Sequence, residues 1–250
     1  MKILSKEIAF DPVEHKYTEI KTGKELISVT TLISKFKQEF DKDGSIIKRC
    51  AEREGISVEE MKNQWEKVKL EACIRGTSFH EQVEQFIKTG NIVDGPDKDI
   101  VEKFAKIKFH GELKSEQVVY SLKDYIAGTV DLIEINPDKS INILDFKTNK
   151  ELKKKSFFDR KKRRFSYMLP PVQHLQDCSF NNYQLQLNLY AYLLEEKGFW
   201  IDTLTILYIN PKTRDVEIHD VQEMRKEIKQ IIHYYKNPPK VIKPKNPFDF

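Results

Sequence analysis

The hydrophobic periodicity of this chain changes from helical to alternating and back again. Strand-like runs rich in Ile, Leu and Val occupy 115–121, 125–135, 141–147, 204–209 and 215–219, and 7–20 alternates as a short hairpin closed at 21–24. Helical spacing predicts helices over 29–40, 58–89, 97–109, 183–196 and 221–235, with a further short helix after Gly44. This order of elements predicts a mixed α/β fold: a central β-sheet flanked by helices on both faces.

Several residues mark the ends of these helices. Ser28 is typical of an N-cap, and Ser57 with Glu60 three positions later has the pattern of a capping box. Gly90 is expected to end the long helix that starts after Ser57. Gly76 interrupts that helix and predicts either a break or a close contact with another element.

The strands at 125–135 and 141–147 are joined by a turn-forming sequence, and folding this hairpin about Asp138 fixes its register. Asp131 then lies opposite Asp145, with the opposed Cβ atoms about 5 Å apart. Because side chains alternate between faces, Asp131 is expected on the face of Ile133, and Lys147 on the face of Asp145. Two carboxylates and a lysine therefore gather at one end of an otherwise apolar face.

Two carboxylates this close repel each other, and burying them destabilises a fold unless a cation compensates. Mg²⁺ and Mn²⁺ prefer carboxylate and carbonyl oxygens, so Asp131 and Asp145 are predicted metal ligands. Lys147 is then placed to meet a scissile phosphate or the attacking water, which suits phosphodiester hydrolysis. The alternative is a solvated hairpin end that carries stray charges.

Other polar residues are weaker candidates for the same site. His80 and Glu84 share a helix face at a spacing of four residues, although a lone helical histidine is more often structural or exposed. Glu116 opens a strand and is a candidate acidic neighbour. The helix over 183–196, capped by one of the asparagines at 181 and 182, presents either a polar surface near the metals or a half-exposed face. Its polar residues are Gln184, Gln186 and Tyr190.

Residues 147–164 contain ten Lys or Arg residues and two acidic ones, with phenylalanines among them. Such a run is either a solvated loop or a surface that follows a phosphate backbone, and aromatic rings favour the second because bases stack on them. Mutual repulsion predicts a segment that is mobile without a partner. The predicted DNA contacts are Lys153, Lys154, Lys155, Arg160, Lys161, Lys162, Arg163 and Arg164, with Phe157 and Phe158 as stacking surfaces.

The composition changes this picture little. Among 250 residues, 39% are hydrophobic and 33% charged, and the net charge of +4 is too small to indicate nucleic-acid binding by itself. No apolar run is long enough for a membrane span, and the N-terminus lacks the apolar core of a signal peptide. Three widely spaced cysteines are too few for a four-cysteine iron–sulfur cluster and are expected to stay reduced inside a cell.

Four short motifs in this order resemble the PD-(D/E)XK nuclease superfamily, most closely its RecB-like branch of phage-type and mitochondrial genome maintenance exonucleases. The motifs are Gly76-Thr-Ser-Phe-His80, Gly128-Thr-Val-Asp131, Asp145-Phe-Lys147 and Gln186-Leu-Asn-Leu-Tyr190. The resemblance covers about 70–210, and segments 11–17 and 28–30 are less specifically similar to the N-termini of phage-type members.

The resemblance implies a role for each matched residue. Lys147 would be the catalytic lysine, and Gln186 and Tyr190 would support the site from their helix. The ligands of Mg²⁺ or Mn²⁺ would be His80, Asp131, Asp145 and the backbone carbonyl of Phe146. The chain lacks the cysteine set of cluster-bearing relatives, and it has no Gly-rich Walker loop, so any helicase would be a separate chain.

The sequence therefore predicts a metal-dependent DNA nuclease, an exonuclease that acts on DNA ends in replication, recombination or repair. A structure-specific endonuclease and a non-catalytic nucleic-acid-binding module are the alternatives, and retention of both acids and the lysine favours an enzyme. The expected partner is single-stranded or end-containing duplex DNA in the cytoplasm of a bacterial or phage-infected cell. One domain, 1–250, is expected, comprising a hairpin and helical region at 1–69, a core at 70–220 with a basic insertion at 148–180, and a C-terminal helix and tail at 221–250.

Overall fold

A computed structural model describes residues 7–41, 44–159 and 163–239, so the predicted DNA contacts Arg160, Lys161 and Lys162 lie outside the described residues. The strands are β1 (Ile8–Asp11), β2 (Lys16–Glu19), β3 (Glu25–Ser28), β4 (Glu112–Ser121), β5 (Ile126–Ile135), β6 (Ile141–Lys147), β7 (Phe158–Asp159), β8 (Arg164–Phe165), β9 (Ile201–Ile209) and β10 (Val216–Asp220). The helices are α1 (Val29–Ser34), α2 (Ser45–Glu54), α3 (Val58–Thr89), α4 (Lys98–Phe104), α5 (Ser179–Glu195) and α6 (Arg225–Lys236).

Most of the described strands form one mixed sheet centred on β5 and β6. The order is β1-β2-β3-β5-β6-β9-β10, and β4 also pairs with β5 along nearly its whole length. The pairs β3–β5 and β6–β9 are parallel, and the other pairs in this sheet are antiparallel. The predicted mixed α/β sheet with flanking helices is confirmed.

Apolar side chains pack against both faces of this sheet. One core lies between the sheet and α1, α5 and α6, and includes Ile133, Ile143 and Leu185. The other lies between the sheet and helices α3 and α4, and includes Phe79 and Leu132. Full burial of one such side chain stabilises a fold by about 1.5–3 kcal/mol. The two cores therefore hold α3 and α5 on opposite faces of the sheet centre.

The hairpin of β5 and β6 has the predicted register. Ile135 pairs with Ile141, and Leu132 pairs with Leu144. Strand pairing ends there, one residue before the two aspartates of the predicted site. Nearer the start of β5, at residues 126–127, the edge that faces β6 pairs instead with β3. The two central strands therefore part at the predicted site.

Helix α1 is shorter than predicted, because the chain beyond it is bound to another segment. The Ser28 side chain caps the helix as expected, accepting a hydrogen bond from the third residue of α1. After Ser34, the carbonyl of Phe36 accepts a hydrogen bond from the backbone N–H of Leu169 at 2.7 Å. The predicted extension of this helix to residue 40 is wrong.

Helix α5 begins four residues earlier than predicted. Its N-cap is Cys178, which makes no side-chain capping bond. The predicted cap Asn181 lies inside the helix, where its side-chain amide donates to the Gln176 carbonyl at 2.9 Å. The asparagines therefore lie near the start of the helix, as predicted, but neither of them is its N-cap.

The N-terminal segment forms a three-stranded meander rather than a single hairpin. Residues 12–15 join β1 to β2, and the turn at 21–24 joins β2 to β3 instead of closing the first hairpin. Helix α4 is also shorter than its predicted span of 97–109. These differences leave the centre of the sheet unchanged.

Helix α3 is continuous for its whole length. The capping box is confirmed, since Glu60 N–H donates to Ser57 Oγ at 3.1 Å and Ser57 N–H donates to Glu60 Oε2 at 2.8 Å. The helix does not break at Gly76; this residue lies against Thr148, and a Cβ there would reach ordinary contact distance, 3.4 Å from Thr148 Oγ1. In the described part of the chain, none of the helices has the length and apolarity that crossing a bilayer requires.

Candidate active site

The candidate site lies where β5 parts from β6. Asp131 accepts a hydrogen bond from the backbone N–H of Phe146 through Oδ2, at 2.8 Å. The carboxylate thus takes the place that a strand carbonyl would have in a continued ladder, and it ties the two strands together after their pairing has ended.

The regular alternation of β5 is interrupted at Asp131. Val130 and Ile133 both belong to the core on the α5 face, whereas Leu132 belongs to the opposite core. Regular alternation cannot place residues three positions apart on one face, so the expectation that Asp131 shares the face of Ile133 is wrong. Such irregularities bend a strand and re-aim its side chains.

Glu116 lies directly across from Asp131 on the other side of β5. The register of β4 and β5 pairs Ser115 with Leu132 and Gln117 with Val130, which leaves Glu116 opposite Asp131. Glu116 has φ of 50°, a left-handed conformation that is rare for residues other than glycine and costs about 1–3 kcal/mol. The interruptions in the two strands thus coincide at a pair of opposed carboxylates.

His80 of α3 completes a group of three potential metal ligands. Its Nδ1 lies 3.6 Å from Glu116 Oε1 and 3.8 Å from Asp131 Oδ1. One ligand atom from each of these three residues lies within 4.8 Å of the others. Burial would lower the pKa of His80, but the charges of Asp131 and Glu116 raise it above its ordinary value. The cluster therefore attracts positive charge.

Asp145 lies beside this cluster and is completely buried. Its Oδ2 contacts Lys147 Nζ, and its Oδ1 accepts a hydrogen bond from Gln186 Nε2 at 3.1 Å. Burial raises the pKa of Asp145 to about 6; Lys147 opposes this shift, and Asp131 adds to it. Burial also acts to lower the pKa of Lys147, but Asp145 and Asp131 outweigh it and raise that pKa. The lysine is therefore held as a half-buried ammonium.

Helix α5 supports Asp145 through two buried side chains. Gln186 Nε2 contacts both Asp145 Oδ1 and the hydroxyl of Tyr190, the latter at 2.9 Å. Both residues of this pair are buried, so the alternative of a half-exposed glutamine face is wrong. Gln184 is buried as well, but its Oε1 accepts from the backbone N–H of Gln222, which is a structural contact.

Gly128 makes room for Tyr190. A Cβ at this position would lie 2.6 Å from Tyr190 Cε1. We expect Gly128→Ala to displace the Tyr190 ring, disturb the bond to Gln186, and destabilise the fold by about 1–3 kcal/mol. Turnover should fall about tenfold, as one hydrogen-bond contact behind Asp145 is lost, equivalent to about 1.4 kcal/mol.

Gly76→Ala is the matched control for this variant, since its Cβ would meet only an ordinary contact and alanine favours a helix. Thermal unfolding and steady-state turnover of both variants test the prediction. Equal turnover in Gly128→Ala and the wild type would show that Tyr190 does not position Asp145.

Tyr17 is a neighbour of the site that no sequence pattern predicted. Its hydroxyl lies 2.9 Å from Thr129 Oγ1, and the side chain is buried. Burial raises the pKa of Tyr17, and the charges of Glu116 and Asp131 add to the shift. No chemical pattern in the sequence links β2 to β5; the only signal was the similarity of segment 11–17 to phage-type proteins.

Glu84 does not join the cluster, although it follows His80 by one helical turn. Its carboxylate pairs with Lys88 Nζ at 2.5 Å, the next residue along the same face. The shared helix face therefore brought only one of the two candidates to the site.

The described part of the basic segment, 147–159 and 163–164, is held by hydrogen bonds at several points, and its predicted mobility without a partner stays a prediction. Ser156 N–H donates to Gln176 Oε1 at 2.9 Å, and β7 pairs with β8. Phe157 is 77% exposed. The described cations of the predicted DNA contacts are all exposed: Lys153, Lys154, Lys155, Arg163 and Arg164.

A model of the PD-(D/E)XK nuclease superfamily matches residues 98–240, a range that includes β4, β5, β6 and α5. The chain belongs to this superfamily. Membership implies a nuclease that uses divalent metal ions and acts on DNA. His80 lies outside the matched range.

Other comparisons add little to this assignment. The chain is similar to a solved protein described as "Crystal structure of SSO0001", with 15% identity and a TM-score of 0.40 over 84% of this chain and 73% of that one. A similarity of this size carries no argument about function. Among curated proteins there is no match.

Proposed function

We propose that this superfamily member is a Mg²⁺- or Mn²⁺-dependent deoxyribonuclease of the RecB-like branch, an exonuclease that acts on DNA ends in replication, recombination or repair. The observation that carries the proposal is the meeting of His80, Glu116 and Asp131 beside the Asp145–Lys147 pair. We propose that it works in the cytoplasm of a bacterial or phage-infected cell, as one domain over 1–250, with any helicase on a separate chain.

The donor set suits a hard divalent cation. Two carboxylates and an imidazole converge within 4.8 Å, and Mn²⁺ and Mg²⁺ accept such donors. His80, Glu116 and Asp131 would hold the ion, joined by Asp145 and the Phe146 carbonyl. A bound ion lowers the pKa of water and neutralises charge on phosphate oxygens.

The side chains around this donor set would orient the substrate and stabilise its charge. Lys147 offers an ammonium beside the donors, where negative charge develops as a phosphodiester is hydrolysed. Gln186 fixes the orientation of Asp145 by donating to Oδ1, so that the other carboxylate oxygen faces Lys147. Tyr190 holds Gln186 in turn. Because Asp145, Gln186 and Tyr190 are buried, they are positioned before the substrate arrives.

Digestion of end-labelled DNA tests the exonuclease proposal. Linear and covalently closed circular DNA, single- and double-stranded, would be incubated with Mg²⁺, Mn²⁺ or EDTA. An exonuclease shortens linear DNA from an end and leaves circles intact. Cleavage of circles would support the endonuclease alternative, which shares the same chemistry, and no cleavage under any condition would support a non-catalytic binding module.

His80→Ala should weaken Mn²⁺ binding more than Mg²⁺ binding, because imidazole favours Mn²⁺. We expect a loss of about tenfold in Mn²⁺ affinity, measured by calorimetric titration, and better cleavage by the wild type with Mn²⁺ than with Mg²⁺. Glu84→Gln is the control, because this residue lies on the same helix outside the cluster. Equal Mn²⁺ affinity in His80→Ala and the wild type would remove His80 from the ligands.

The basic segment is proposed to clamp the DNA backbone, with exposed Phe157 and Phe158 as stacking surfaces. Lys154→Ala with Lys155→Ala should weaken DNA binding for all sequences and flatten the salt dependence by about one log–log unit per lost contact. The control, Lys226→Ala with Lys229→Ala, removes the same charge from α6. Titrations from low to moderate salt decide this point, and an unchanged slope would make the segment a solubilising loop.

A further inference from the structure

Ten consecutive residues of α3, 66–75, are exposed, although the helix is anchored on both sides of them. Phe79 and Val83 pack in the core beneath the sheet, and Met61 packs against α2. Residues 66–75, called here the α3 span, therefore cross open space for about 15 Å. Most helical stability comes from packing one face, so a span with no packed face invites a functional explanation.

The α3 span carries both apolar and cationic side chains. Val68, Leu70 and Ile74 are 63%, 61% and 60% exposed. Lys69 and Arg75 make no ion pair with any residue that the structure describes. The span also contains Glu66 and Glu71, but with Lys67 its three cations outnumber these two acids. Exposed apolar side chains beside an excess of positive charge match a ligand that has both apolar faces and negative charge.

The α3 span begins at the candidate active site. Gly76 lies against Thr148, the residue that follows Lys147, and His80 enters the ligand cluster one turn later. Helical spacing places Gly76, Cys73 and Lys69 on the same side of α3 as His80. Lys69 is thus about 16 Å from His80 along the helix axis, a distance that several nucleotides of a strand can span.

We propose that the α3 span is one wall of the substrate cleft and binds the unpaired strand of nucleic acid next to the cleaved bond. Helical spacing places Lys69 on the side of His80, and Arg75 and Val68 on the adjacent side, that of Phe79. Lys69 and Arg75 contact the phosphates of the strand, and Val68 contacts its bases. Apolar side chains are known to insert between base steps, and cations follow the backbone. This inference rests on the proposed nuclease function.

Binding measurements in EDTA, which prevents cleavage, test the proposal. A labelled single-stranded oligonucleotide would be titrated with the wild type and with Lys69→Ala/Arg75→Ala. We expect the double variant to bind at least fivefold more weakly, with a salt slope lower by about 1.4 units, at about 0.7 per phosphate contact. Lys226→Ala/Lys229→Ala is the matched control, since it removes two exposed cations from a helix on the opposite face of the sheet.

The native Cys73 reports contact with the α3 span directly. It is exposed, whereas Cys178 is buried and Cys50 is half-buried. A saturating oligonucleotide should slow the reaction of Cys73 with a thiol reagent at least fivefold, as measured by peptide mass spectrometry. An unchanged rate under saturation would overturn the proposal.

The outcomes separate this inference from the proposed function. The wild type could cleave DNA while Lys69→Ala/Arg75→Ala binds the oligonucleotide as tightly as the wild type and the oligonucleotide does not slow the reaction of Cys73. That result would contradict the α3 span as a wall of the cleft but would leave the proposed nuclease function standing. A wild type that neither binds nor cleaves nucleic acid contradicts both. If Cys73 reacts more slowly as the protein concentration rises, without any oligonucleotide, the α3 span contacts a second copy of the chain. This result would overturn the proposal.

Discussion

Asp131→Asn should reduce DNA cleavage by about a thousandfold or more. The change removes one carboxylate charge from the cluster of His80, Glu116 and Asp131. The amide oxygen of the new asparagine can still accept the hydrogen bond from Phe146 N–H. Metal-assisted stabilisation of a transition state is worth several kcal/mol, and each 1.36 kcal/mol is tenfold in rate. Single-turnover cleavage of end-labelled DNA with Mg²⁺ or Mn²⁺ measures the loss.

Asp138→Asn is the matched control for this change. It removes the same charge from the turn of the same hairpin, where the carboxylate bonds only to Ser140 among the described residues. Cleavage by this control should equal that of the wild type. The same loss of cleavage is expected for Asp145→Ala, and substantial cleavage by either Asp131→Asn or Asp145→Ala would contradict the site assignment.

Lys147→Met should lower turnover by about a hundredfold to a thousandfold and change metal affinity much less. Methionine retains most of the stem but removes the ammonium that contacts Asp145. The rate effect follows because a positioned charge stabilises the transition state by about 2.7–4 kcal/mol in comparable sites. Turnover and calorimetric metal affinity, measured on the same preparation, separate the two contributions.

The pH dependence gives a second readout for Lys147→Met. In the wild type Lys147 opposes the shift that raises the pKa of Asp145 to about 6. Removing the ammonium moves this pKa further up, so the residual activity should rise at a higher pH than in the wild type. Lys147→Arg keeps the charge and should keep the wild-type midpoint. Unchanged turnover in Lys147→Met would mean that the lysine only neutralises Asp145.

The centre of the fold could be predicted because its signals are local. The turn sequence and the strand periodicity fix the register of the β5–β6 hairpin, and Ile135 pairs with Ile141 as expected. The capping box of α3 likewise needs only residues three positions apart. Such features depend on neighbours in the sequence, and the structure confirms them.

The features that the sequence left undecided depend on distant contacts. The place of Glu116 opposite Asp131 follows from the β4–β5 register and from a coincident interruption of both strands, neither of which has a local signal. Helix α1 stops early because Phe36 binds Leu169, more than a hundred residues away. The approach of Tyr17 to Thr129 is equally non-local. Tertiary contacts override the local pattern at each of these places.

Glu116 gives the site a donor that the hairpin alone did not supply. The hairpin predicted two carboxylates, but the ligand atoms that converge come from three elements, α3, β4 and β5. Asp145 is instead bonded to Lys147 and Gln186 beside them. The proposed site therefore combines a cluster of carboxylates and an imidazole with an adjacent half-buried ammonium, and both lie where β5 parts from β6.

Mn²⁺ titration of the wild type during DNA digestion shows whether the proposed site depends on a metal ion. End-labelled linear DNA would be incubated with purified protein over a range of Mn²⁺ concentrations, with Asp131→Asn prepared in parallel and EDTA added to stop each reaction. We expect cleavage that saturates with Mn²⁺, ceases with EDTA and is lost in Asp131→Asn at every concentration. Cleavage that persists in EDTA, or that is equal in the two proteins, would contradict a metal site at Asp131.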